Sequence, residues 1–122
     1  MNVKISENAV TFKITEEELN FLLTGKSLEK KVLIGKNDFV MVIDPHPPEY
    51  CEDFKEAPLK LILDRAESCL ILFTTMDEIR KLADMGKSRD GLSAYVGGLD
   101  ILLQVDVRHD SREKKRIKNV GE

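Results

Sequence analysis

The sequence predicts an α+β domain made of two pseudo-twofold-related ββαββ halves, mainly antiparallel sheet with two covering helices. Three observations lead there. First, the stretch from Asn8 to Asp44 is written again, altered, from Ser68 to Asp106, so that NAVTFKITEEELNFLLTGKS answers to SCLILFTTMDEIRKLADMGKS and GKNDFVMVID to GGLDILLQVD. Second, each copy changes from strand-like alternation to helical spacing at a threonine followed three residues later by glutamate, Thr15 with Glu18 and Thr75 with Glu78. Third, each copy closes on a pair of apolar runs separated by glycine, the pattern of a hairpin. Thr15, Glu18, Leu19 and Leu22 match Thr75, Glu78, Ile79 and Leu82 at one constant spacing. One inserted residue then brings Lys26-Ser27 onto Lys87-Ser88, and a second brings Gly35, Asp38 and Asp44 onto Gly97, Asp100 and Asp106.

In order, Val3 to Ile5 and Val10 to Ile14 alternate apolar with polar residues around the turn residues Ser6-Glu7-Asn8, which predicts a first hairpin. Thr15 to Glu18 forms a capping box, and three carboxylates in the first turn favour the positive end of the helix dipole. Leu19, Leu22 and Leu23 give the helix its buried stripe, and Gly25 is placed to end it in a left-handed turn. Glu29 to Ile34 and Phe39 to Asp44 make a second hairpin around Gly35 to Asp38. The second copy repeats the plan with Leu59 to Leu63, a turn at Asp64 to Glu67, Ser68 to Thr74, a helix from Thr75 towards Gly86, and a hairpin of Leu92 to Val96 with Leu99 to Val107 turned at Gly97-Gly98.

The organisation that follows is one domain over residues 1–107, with repeats at 1–44 and 59–107, a connector at 45–58 and a basic tail at 108–122. A chain of 122 residues buries about two-thirds of its extended surface, enough for a core without staples. Three of the four prolines fall within Pro45 to Pro48 and make the connector stiff at its start. No apolar run approaches the roughly 20 residues that span a bilayer, and MNVKISENAV lacks the apolar segment of a secretory signal. A cytoplasmic protein with no membrane partner is therefore expected, with Cys51 and Cys69 as free thiols. The net charge of −3 divides into −6 for the body and +3 for residues 108–122.

The copies differ most on one face. Where the first has Lys4, Thr11 and Lys13, the second has Ile62, Ile71 and Phe73, so its first hairpin is apolar on both sides. A contiguous exposed apolar patch is unusual on a soluble monomer and needs a cover. Either Tyr50, Phe54 and Leu59 of the connector fold over it, or the face meets a second copy or another protein. The expected function is a non-enzymatic interaction or ligand-binding module, possible as a homodimer, whose surface is Ile62, Ile71, Phe73, Tyr50 and Phe54.

Two other residue sets carry alternatives. Asp44, His46, Asp106 and His109 would supply nitrogen and carboxylate ligands to a divalent ion if the two strand ends meet, and Cys51 or Cys69 would make a thiol–histidine pair of the same set. No fixed metal motif is present, the strand ends need not point together, and surface histidines after a strand are the better account of these residues. The tail residues Arg112, Lys114, Lys115, Arg116 and Lys118 could grip phosphates, but the chain has no tryptophan and no base-reading motif, so nucleic acid is not an expected partner. Gly25-Lys26-Ser27 and Gly86-Lys87-Ser88 end helices where a phosphate loop would begin one. No cofactor is expected.

The segment NAVTFKITEEELNFLL resembles the opening of a family of short, functionally uncharacterised bacterial proteins, in which a strand of the form Asn/Ser-x-Ile/Leu-x-Phe/Leu-x-Leu-Thr enters a helix with glutamate three residues after the threonine. SCLILFTTMDE and the closing strand LDILLQVD extend the likeness. It implies a fold and no catalytic residue. The basic tail departs from the acidic, proline-containing C-terminus of that family.

Overall fold

The chain in the computed structural model, which describes residues 1–48, 57–85 and 91–106, runs β1 (Asn2–Ile5), β2 (Ala9–Ile14), α1 (Glu16–Leu23), β3 (Leu28–Ile34), β4 (Asn37–Asp44), β5 (Lys60–Asp64), β6 (Cys69–Phe73), α2 (Met76–Asp84), β7 (Leu92–Val96) and β8 (Leu99–Val105). This is strand, strand, helix, strand, strand, written twice. Gly86 and the residues after it to 90, where the second helix was expected to end, lie outside the described residues.

The two halves do not form a sheet each. One sheet has the order β1-β2-β8-β7 and the other β3-β4-β6-β5, so each takes one hairpin from either half. Within a sheet the hairpins are antiparallel and they join through a central parallel pairing, β2 with β8 and β4 with β6. Exchanging the halves exchanges the sheets, which is the pseudo-twofold.

Local chemistry explains the elements. The Thr15 hydroxyl accepts from the Glu18 N–H at 3.1 Å while the Glu18 carboxylate accepts from the Thr15 N–H at 2.9 Å, the full capping box. In the second copy only the first of these bonds forms, at 3.2 Å, and the Glu78 carboxylate accepts from Lys81 instead. Gly25 has φ +90° and its N–H donates to the Leu22 carbonyl, the left-handed helix end expected there.

Both sheets and both helices share one core, and its members come largely in twins: Val10 with Leu70, Phe12 with Leu72, Leu19 with Ile79, Leu22 with Leu82, Met41 with Ile101, Ile43 with Leu103. Although the side chains differ in every pair but Leu22 with Leu82, each residue of these pairs is less than a tenth exposed, so both copies share one burial pattern. The exception is Thr74 in the place of Ile14. It is fully buried, and its hydroxyl donates to the Pro58 carbonyl at 2.9 Å, which removes the cost of an unpaired buried hydroxyl and holds the end of the connector.

The structure corrects the pairing of the last hairpins. The Asp100 N–H donates to the Asn8 carbonyl, and in the other sheet the Val40 N–H donates to the Ser68 carbonyl. Asp100 therefore stands where Val40 stands, not where Asp38 does. The hairpin turns themselves still match, at Gly35-Lys36 and Gly97-Gly98, so the β3–β4 hairpin reaches two residues farther past the parallel pair than β7–β8 does. Aligning glycine with glycine is right at the turn and wrong where the strands meet their parallel partners, because the register is set there by burying Ile43 and Leu103, not by the turn.

Candidate interaction surface

The outer sides of the two sheets are the places where the halves diverge. Alternation puts Asn2, Lys4, Thr11, Lys13, Leu102 and Gln104 on the outside of the first sheet. The same positions of the second are Lys60, Ile62, Ile71, Phe73, Val42 and Asp44. One row across the second sheet reads Ile62, Ile71, Val42, Glu29, each opposite the next in register; the corresponding row of the first reads Lys4, Thr11, Leu102, Ser93.

On that face Ile62 and Ile71 are half-buried, and Phe73 and Val42 are 6% and 8% exposed although neither belongs to the main core. Leu59, expected over this face, goes the other way and sits fully buried in the core. Tyr50 and Phe54 lie outside the described residues. Cys69 shares the face and is half-buried; burial pushes its thiol pKa up, and the carboxylates of Asp64, Glu29 and Glu67 push it further. A thiol held protonated is a poor nucleophile. Cys51 is outside the described residues.

Sequence reasoning missed a second apolar zone. Ile5, Leu33, Ile34, Leu63, Tyr95 and Val96 are all more than half exposed; Ile5 and Leu63 are equivalent by the twofold, while Leu33-Ile34 and Tyr95-Val96 match only in their place before the turn glycine. All lie beside hairpin turns, at the end of each sheet away from the helices. The signal was present in Leu33-Ile34 before Gly35 and Tyr95-Val96 before Gly97, large apolar residues with no strand left beyond them to cover them.

The candidate metal ligands have local duties. The Asp44 carboxylate accepts from the His46 N–H at 2.8 Å, and His46 Nε2 is 2.8 Å from the Gly25 carbonyl, so this pair fastens the strand end to the end of α1. The Asp106 N–H donates to the Ile14 carbonyl in the other sheet. With the corrected register, Asp44 corresponds to Gln104, and Asp44 and Asp106 do not close equivalent strands. Among the described residues no group of three His, Cys, Asp or Glu side chains could hold a metal ion. His109 and the tail residues Arg112, Lys114, Lys115, Arg116 and Lys118 lie outside the described residues. Among the described residues no helix is long and apolar enough to cross a membrane.

Comparison with known proteins finds no family model, no curated protein and no solved structure that matches the chain.

Proposed function

We propose that the chain is a non-enzymatic interaction module that pairs through the outer face of its second sheet, with a second copy of itself as the partner. One observation carries this reading: Ile62 and Ile71, both half-buried, make an apolar pair on the outer face where the twin pair is Lys4 and Thr11. An apolar outer face calls for a cover, and the second sheet has one where its twin carries polar side chains. Leu33, 67% exposed on the same side of β3, extends the face past the parallel pair. The raised thiol pKa of Cys69 on this face and the local bonds of Asp44 and His46 favour binding over thiol or metal chemistry.

The test uses the residues of the twin. Ile62→Lys with Ile71→Thr copies Lys4 and Thr11 into the second sheet, and both positions are only half-buried. Light scattering over a concentration series should give a dimer mass for the parent and a monomer mass for the double variant, with circular dichroism unchanged. A monomer at all concentrations for the parent, or a variant that still pairs, refutes the reading.

A further inference from the structure

We propose that the outer face of the first sheet holds a site for a small phosphate-bearing ligand, a phosphomonoester. A hollow of about 250 Å³ opens there, lined by Asn2, Lys4, Thr11, Lys13 and Gln104. The register places them together: Asn2 is opposite Lys13, Lys4 opposite Thr11, and Lys13 opposite Gln104 on the central parallel strand.

The lining is chemically one-sided. Each of the five side chains can donate hydrogen bonds, two are cations, and none is a carboxylate. Neither Lys4 nor Lys13 forms an ion pair with a described residue. The carboxylates nearest along β8 are Asp100 and Asp106, and neither lines the hollow. Lys4 and Lys13 stand on neighbouring strands of one face, so an anion between them would be attracted to both.

The twin face shows what the same scaffold does without this chemistry. There the five positions are Lys60, Ile62, Ile71, Phe73 and Asp44, with Phe73 buried, one lysine and a carboxylate. The first sheet thus differs at every one of the five positions, with polar donors where the twin face has three apolar side chains.

The ligand class follows from donors and volume. A phosphate group has three terminal oxygens and a charge near −2, so it can accept from two ammonium groups, an amide and a hydroxyl at once; a planar carboxylate offers two oxygens. At about 250 Å³ the hollow lies just below the roughly 300 Å³ at which ligand pockets begin, which limits it to a small phosphomonoester.

The experiment is a titration of the full chain, labelled with ¹⁵N, with inorganic phosphate, phenyl phosphate and acetate at constant ionic strength. Amide shifts should centre on Asn2, Lys4, Thr11, Lys13 and Gln104, with phenyl phosphate the tightest and acetate the weakest. Lys4→Gln and Lys13→Gln should each weaken phenyl phosphate roughly tenfold, since a hydrogen bond to a charged group is lost. Lys60→Gln, on the other sheet, should leave the affinity unchanged. The proposal is overturned if phosphates cause no shifts at these residues, if acetate binds as well as phenyl phosphate, or if Lys4→Gln and Lys13→Gln bind like the parent while remaining folded.

Discussion

Asp100 and Asn8 are joined by a backbone hydrogen bond of 2.9 Å, and its counterpart joins Val40 to Ser68 at 3.0 Å. Each bond links the last hairpin of one half to the first hairpin of the other, across the central parallel pairing. Neither half can therefore complete a sheet alone. It would keep two separate two-stranded hairpins, which are marginal in water. A fragment of residues 1–48 should be unfolded by circular dichroism, and mixing it with a fragment of residues 57–122 should restore the sheet signal. An independently folded 1–48 fragment would contradict the interleaving.

The two caps differ at their glutamates. Thr15→Ala and Thr75→Ala each remove one hydroxyl bond and should each cost about 1 kcal/mol in urea unfolding, because the bond from the Thr15 N–H to Glu18 is a backbone bond that alanine keeps. Glu18→Ala should cost more than Glu78→Ala, since the Glu18 carboxylate accepts from the Thr15 N–H and the Met1 ammonium whereas Glu78 accepts from the exposed Lys81.

Glu18 adds a pH dependence. Burial raises its pKa, but the hydrogen bond from the Met1 ammonium, the Thr15 N–H and the attraction of the ammonium charge outweigh this, and the net shift is downward. A depressed carboxylate contributes stability that is present above the unfolded pKa, about 4.3, and is lost as pH falls through the folded value. The stability gap between the parent and Glu18→Gln should be full near neutrality and narrow on acidification below about pH 4.3, as read from unfolding curves at each pH. A gap that widens towards acid would show that Glu18 is not held ionised.

Among the described glycines Gly91 meets the closest backbone approach. Its φ is +65°, and a Cβ there would lie 2.2 Å from the Leu103 carbonyl oxygen on β8, whereas a Cβ on Gly35 would meet nothing within 4 Å. Gly35→Ala should cost about 1 kcal/mol of conformational strain, and Gly91→Ala should cost several times that, because the parallel-paired strand must move. Thermal unfolding of the two variants side by side gives the comparison.

Much of the fold was legible because the local signals agree with one another. Thr15 to Glu18 marks a helix start, Gly97-Gly98 marks a tight turn, and the period change between them leaves one reading of the order of elements. How the halves combine was not legible, since Val40 opposite Cys69 and Ala9 opposite Asp100 are pairings between residues far apart in sequence, set by core burial. The same gap hid the site geometry. Asp44 and Asp106 look equivalent in sequence and differ by two positions in register, whereas the contrast of Ile62 and Ile71 with Lys4 and Thr11 was readable because it depends only on which side of a strand a residue faces.

The association proposed for the second sheet is tested most directly by dilution of a sample labelled at isoleucine methyl groups. Ile62 and Ile71 stand on the proposed contact face, while Ile5 and Ile34 stand at the hairpin ends. The account predicts concentration-dependent methyl shifts at Ile62 and Ile71 with Ile5 and Ile34 unmoved. Shifts confined to Ile5 and Ile34, or none at any concentration, would contradict it.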